Sequence, residues 1–121
     1  MLVYNKYLQE LGVKPTDYPF NKATEPDEDG IILEHLWDLD WTLAAEVYAY
    51  LRAFQEHSGG VPCGMTGEEW DAILQKMVEG FEAKVKEKYA PVSDDWWEEV
   101  GYTKFRKAMA LLSEYWNCLW Y

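Results

Sequence analysis

The chain has 121 residues, enough for one domain that buries a core without disulfide or metal staples. It is 49% hydrophobic and 17% aromatic, which excludes a disordered chain. Acidic residues outnumber basic ones 22 to 11; the formal charge of -11 argues against gripping duplex nucleic acid and leaves two readings, a surface charged for solubility and one that meets a basic protein surface.

In chain order, "VYNKYLQELG" predicts a short helix with Tyr4, Tyr7, Leu8 and Leu11 on one side and Gly12 as its stop. Pro15, Pro19 and Pro26 make residues 13 to 30 an irregular acidic segment, with Tyr18 and Phe20 as its anchors. A second helix is expected from Ile31 to His57. On a helical wheel Leu33, Leu36, Leu43, Ala44, Val47, Tyr50, Leu51 and Phe54 share its core face, with Trp37, Trp41 and Tyr48 along the edge.

The stretch "HSGGVPCGM" breaks that helix. In "TGEE", Thr66 and Glu69 have the spacing of a capping box. Trp70, Ile73, Leu74, Met77, Val78, Phe81 and Val85 then form an apolar stripe. After "APVSDD", Asp94 or Asp95 can cap a further helix, and Gly101 can split "WWEEV" from a long piece starting at Tyr102. There Phe105, Met109, Leu112, Trp116 and Trp120 share a face with Tyr102 and Leu119. Strand alternation is missing. The expectation is an all-α protein: one helical domain over 1–121, with a short helix and an irregular acidic segment in 1–30. Three main helices make up the small bundle of 31–121.

Two cysteines, Cys63 and Cys118, do not make a disulfide framework, and both are expected as free thiols. No stretch reaches the length of a membrane span, and the first residues lack signal-peptide character, so the expected location is cytoplasmic.

"WDLDW" holds two carboxylates between two tryptophans. They lie about 160° apart on a helix, too far around for one small ligand to engage both. Asp38 falls on the polar side with Glu34. Asp40 falls within the apolar arc, so it must pair with a cation or cap a helix start. Trp37 and Trp41 are expected to pack on the core edge. Seven acids and no Lys or Arg lie between Glu25 and Asp40. In "EPDEDGII", Glu25, Asp27, Asp29 and Gly30 match positions 1, 3, 5 and 6 of a calcium loop. Position 12 is Leu36 rather than a bidentate Glu, and no calcium site is expected.

The acids Glu25, Asp27, Glu28, Asp29, Glu34 and Asp38, with Asp94, Asp95 and Trp96 of a second acidic aromatic cluster, are the expected partner-binding residues. Acids at helix N-termini account for part of both clusters without a partner. Lys84, Lys86 and Lys88, with Lys104, Arg106 and Lys107, are the candidates for a phosphate-binding patch if the fold brings them together. No nucleotide-binding or hydrolytic motif is present. His35, His57, Cys63 and Cys118 lack zinc-motif spacing, and the pairs Glu34 with Asp38 and Glu79 with Glu82 face solvent on the wheel. No catalytic residue, metal or cofactor is expected.

The stretches "LWDLDWTLAAEVYAYLRAF", "GVPCGMTGEEWDAILQKMVEGFE" and "FRKAMALLSEYWNCLW" resemble a set of short, largely uncharacterised helical proteins encoded by bacteriophages and prophages. The shared pattern is a Leu-Asp-Trp helix, a Gly-x-Pro loop, a Glu-Glu-Trp helix start and an aromatic C-terminal helix, covering roughly residues 31 to 120. The Glu-Glu-Trp helix is its most specific piece. The resemblance implies a phage setting and expression in a host cytoplasm, and it carries no catalytic residue over. The combined expectation is a non-enzymatic binding protein that inhibits a host protein, a defence component being the expected target. The alternatives are a sponge holding a small nucleotide signal in an interhelical pocket and, third, a carboxylate-metal enzyme.

Overall fold

The computed structural model describes residues 2–21, 25–57, 59–87 and 101–120. They form α1 (Lys6–Glu10), α2 (Leu39–His57), α3 (Gly67–Lys86) and α4 (Gly101–Glu114). Short 3-10 turns stand at Leu33–Leu36 and Trp116–Cys118, and there is no strand among the described residues. The protein is all-α, a small helical bundle.

Local chemistry sets the ends of α1. The Asn5 side chain accepts from the amides of Tyr7 and Leu8, each at 3.1 Å. At the other end Gly12 takes a φ of 95°. Its N–H donates to the Gln9 carbonyl and the Val13 N–H to the Leu8 carbonyl. This closure places Val13 against Leu8, both buried. The Tyr7 hydroxyl donates to Glu56 at 2.8 Å, and Arg52 reaches Glu10 and Glu56, so α1 is clamped to the end of α2. The segment after α1 is held by the Tyr4 hydroxyl on the Val13 carbonyl and by Phe20, which packs edge-on against Tyr4 and Trp41.

The expected continuous helix from Ile31 to His57 is corrected by a break. Trp37 is extended and Asp38 has a φ of 53°, a left-handed conformation that no helix continues through. α2 starts at Leu39, and the Asp38 carbonyl accepts its first helical bond, from Thr42. The core face of α2 is also rotated from the expected one. Trp41, Ala44, Ala45, Tyr48, Ala49 and Leu51 are buried, whereas Leu33, Leu36, Leu43 and Tyr50 are exposed. The break at Asp38 resets the phase of the helix, and buried Trp41 ties the new face to α3 through its bond to the Val85 carbonyl.

α3 follows its expected pattern. The Thr66 hydroxyl accepts from the Glu69 amide at 3.1 Å and donates to the Glu69 carboxylate at 3.2 Å. Trp70, Leu74, Met77, Val78, Phe81 and Val85 are buried, with Ile73 partly so. α3 is the central element: α2 packs on it from one side and α4 from another, while no Cα of α2 lies within 8 Å of one in α4. Gly80 is a point of close approach to α4. A Cβ there would stand 2.3 Å from the Ala108 Cβ and 2.4 Å from the Lys104 carbonyl oxygen.

In α4 the expected face is again offset. Gly101 and Ala108 are buried, and Phe105, Leu111, Leu112 and Tyr115 pack against the core. Met109, Trp116 and Trp120, expected inside, are exposed. Ring pairs Phe81–Phe105 and Trp70–Tyr115 join α4 and the turn that follows it to α3.

Candidate protein-binding surface

The acidic segment is built around Asp27. Its carboxylate accepts from the amides of Asp29 and Ile31, each at 2.9 Å, while its own N–H donates to the Ile31 carbonyl and Gly30 donates back to Asp27. One Asp oxygen is thereby turned onto the loop's own amides. Glu25, Glu28 and Asp29 stand exposed, and buried Ile32 pins the end of the loop. The Tyr18 hydroxyl donates to the Glu34 carbonyl. Burial first, then the negative charges of Asp38 and Glu34, raise the Tyr18 phenol's pKa.

Trp37, which lies between Glu34 and Asp38 in sequence, is 74% exposed. It does not pack on the core edge as expected, because the break at Asp38 swings it off the helix. Leu33, Leu36 and Leu39, within four residues of it in sequence, are exposed too, and Asp38 is exposed as expected. The result is a ledge over residues 33–39 that carries one exposed tryptophan and three exposed leucines together with Glu34 and Asp38. Asp94, Asp95 and Trp96 of the second cluster lie outside the described residues.

The other half of "WDLDW" is structural. Trp41 is buried and its indole N–H donates to the Val85 carbonyl at 3.0 Å, satisfying one of the carbonyls that end α3. Asp40 is an exposed first-turn residue that pairs with Lys84 at 2.9 Å; it is neither buried nor the residue preceding the helix. A hydrogen bond from Lys84 leads the effects that hold its carboxyl below the usual aspartate range. Burial pulls Lys84 down, but Glu87, 2.8 Å away, and Asp40 outweigh it and keep the ammonium above its ordinary value.

Two of the remaining cations have defined partners. Lys86 pairs with Glu82 at 2.9 Å, and Arg106 stacks over Tyr102. Lys86 and Lys104 share a hollow of about 280 Å³ with Glu79 and Glu82, so two carboxylates compete there for any cation a phosphate would need. Lys88 lies outside the described residues. Cys63 and Cys118 are free thiols. Among the described residues no three His, Cys, Asp or Glu side chains converge as a metal site, and no helix is long and apolar enough to cross a membrane.

Sequence reasoning missed one surface. The outward side of α2, with Leu43, Val47, Tyr50 and Phe54, meets Leu112, Trp116 and Leu119 across a hollow of about 340 Å³. A second hollow of about 230 Å³ lies between α2 and residues 2–7, and Glu46 and Tyr50 line both. The available signal was the excess of apolar positions on α2, more than one core-facing stripe requires. Comparison of the chain with protein-family models, curated proteins and solved structures gives no significant match.

Proposed function

We propose that this is a non-enzymatic binding protein of phage type that inhibits a host protein, a defence component, by docking on a basic surface. The observation that carries the reading is the exposed Trp37 in a run, residues 33–39, that also holds three exposed leucines and the acids Glu34 and Asp38. Large aromatic side chains dominate the energy of protein interfaces, and flanking charges steer the encounter and select the partner. The net charge of -11 extends that steering beyond the ledge. The phage setting and the host target rest on the sequence resemblance of residues 31–120.

The experiment is affinity capture from host lysate with the wild-type chain and with Trp37→Ala, followed by binding kinetics on the purified partner. The expected result is a stoichiometric host protein with a basic surface, whose complex weakens about tenfold or more with Trp37→Ala and forms more slowly at high salt. A partner bound equally by both chains, or turnover of a small molecule by the purified chain, overturns the reading.

A further inference from the structure

Residues 4–13 close on themselves. Asn5 caps α1 and Gly12 ends it. The Val13 N–H donates to the Leu8 carbonyl, and the Tyr4 hydroxyl donates to the Val13 carbonyl at 2.8 Å. A five-residue helix has no stability of its own, so this unit is ordered only while it is docked. Part of the docking is apolar, through Tyr7, Leu8 and Val13, all buried. The rest is polar and gathered at one place. Among the described residues, the hydrogen bonds and ion pairs from α1 to α2 all end on Glu56 or Arg52, one turn apart. The Glu56 carboxylate accepts from Tyr7 at 2.8 Å and pairs with Lys6 at 3.4 Å and Arg52 at 3.6 Å. Arg52 goes on to Glu10 at 3.4 Å and lies over the Tyr7 ring.

We infer that residues 4–13 are a strap that opens as one unit while α2, α3 and α4 stay closed, and that Glu56 is its latch. The inference goes beyond the binding reading and does not rest on it. The strap is separable because the bonds that close it are its own. No Cα of α1 lies within 8 Å of one in α3 or α4, so lifting it breaks contacts with α2 and the Tyr4–Phe20 ring pair and leaves the other helix interfaces whole. The latch is a single group because three contacts converge on one carboxylate: neutralising Glu56 weakens its links to Tyr7, Lys6 and Arg52 together and leaves Arg52 with Glu10. It is also within reach of solvent, with the Glu56 side chain 38% exposed. The charged and titratable groups around it are Lys6, Tyr7 and Glu10 of α1 and Arg52 of α2. Arg52 is itself bonded to Tyr48, which the charge of Glu82 in α3 reaches. The Tyr7 hydrogen bond leads the effects that hold the Glu56 carboxyl below the usual glutamate range. The latch therefore holds fully above the unfolded-chain value of about pH 4 and is lost as pH falls through the lower, closed-state value.

The test is amide hydrogen exchange of the full chain, followed by NMR. The probes are the amides of Leu8, Gln9 and Val13 in the strap and of Met77 and Val78 in α3. In the wild type the three strap amides should share one opening constant, about tenfold or more above that of the α3 probes and less dependent on urea. Glu56→Gln should raise the strap's opening constant about tenfold, and Tyr7→Phe should move it the same way. Gly80→Ala, which loosens the α3–α4 interface, should speed the α3 probes and leave the strap's opening constant unchanged. Between about pH 6 and about pH 4, corrected for intrinsic exchange, strap opening should increase more in the wild type than in Glu56→Gln. One common opening constant and urea dependence for the strap and α3 overturns the inference, as does Gly80→Ala speeding both alike. A strap that opens separately but is indifferent to both Glu56→Gln and Tyr7→Phe overturns the assignment of the latch.

Discussion

Gly80 of α3 and Ala108 of α4 meet with no room for another carbon: a Cβ on Gly80 would lie 2.3 Å from that of Ala108. The second obstruction, the Lys104 carbonyl oxygen at 2.4 Å, belongs to backbone and cannot rotate aside. Gly80→Ala should therefore destabilise the fold by about 1–3 kcal/mol, because separating two packed helices outweighs the roughly 1 kcal/mol that Ala contributes over Gly in a helix. Urea denaturation checks the sign; a variant with a higher midpoint would show that α4 shifts freely.

The two tryptophans of "WDLDW" predict opposite outcomes. Trp41→Phe keeps most of the buried ring but removes the donor to the Val85 carbonyl, at a cost of about 1–3 kcal/mol. Trp37→Ala removes a side chain that is 74% exposed and should change stability by no more than about 0.5 kcal/mol. Denaturation midpoints of the pair, compared with wild type, test the division of core from surface.

Asp40 contributes through an exposed pair with Lys84, so Asp40→Ala should cost about 0.5–1 kcal/mol, less than a buried pair would. The carboxyl is held below its usual range in the fold, first by the hydrogen bond from Lys84. Its contribution is thus complete above the unfolded-chain value of about pH 4 and is lost as pH falls through the lower, folded value. Asp40→Asn should accordingly narrow the stability difference between about pH 7 and about pH 3. Urea midpoints at the two pH values measure it; an undiminished difference would remove Asp40 from the acid response.

Asp38 mixes charge with backbone geometry. At a φ of 53°, Asn is tolerated, whereas Lys or Ala should cost about 1–2 kcal/mol. Asp38→Lys therefore does not leave stability unchanged, as a solvent-facing position on a regular helix would imply. Asp38→Asn is the clean charge variant: it should melt like wild type and slow association with a basic partner. Stopped-flow association rates beside thermal melts separate the two effects.

α3 was legible because its signals are local and agree: Thr66 and Glu69 mark its start, and one stripe from Trp70 to Val85 marks its buried side. The stop at Gly12 was legible for the same reason. The phase of α2 was not. A helical wheel drawn from Ile31 assumes unbroken rotation, and the left-handed Asp38 resets it, leaving Leu33, Leu36 and Trp37 outside the helix. In α4 the wheel favoured the largest apolar side chains, whereas the tightest contact uses the smallest, Ala108 against Gly80. Trp37 and the α2 face were hidden by one ambiguity: a large apolar residue has the same pattern whether it fills a core or awaits a partner.

The placement of α3 between helices whose backbones do not meet bears on how the protein opens. α4 can lift away with its own interface and leave the α2–α3 pair closed, whereas α3 cannot leave without undoing both. Amide exchange should therefore be graded, slowest in the middle of α3 around Met77 and faster in α4, with the helix pair as the unit that opens and recloses.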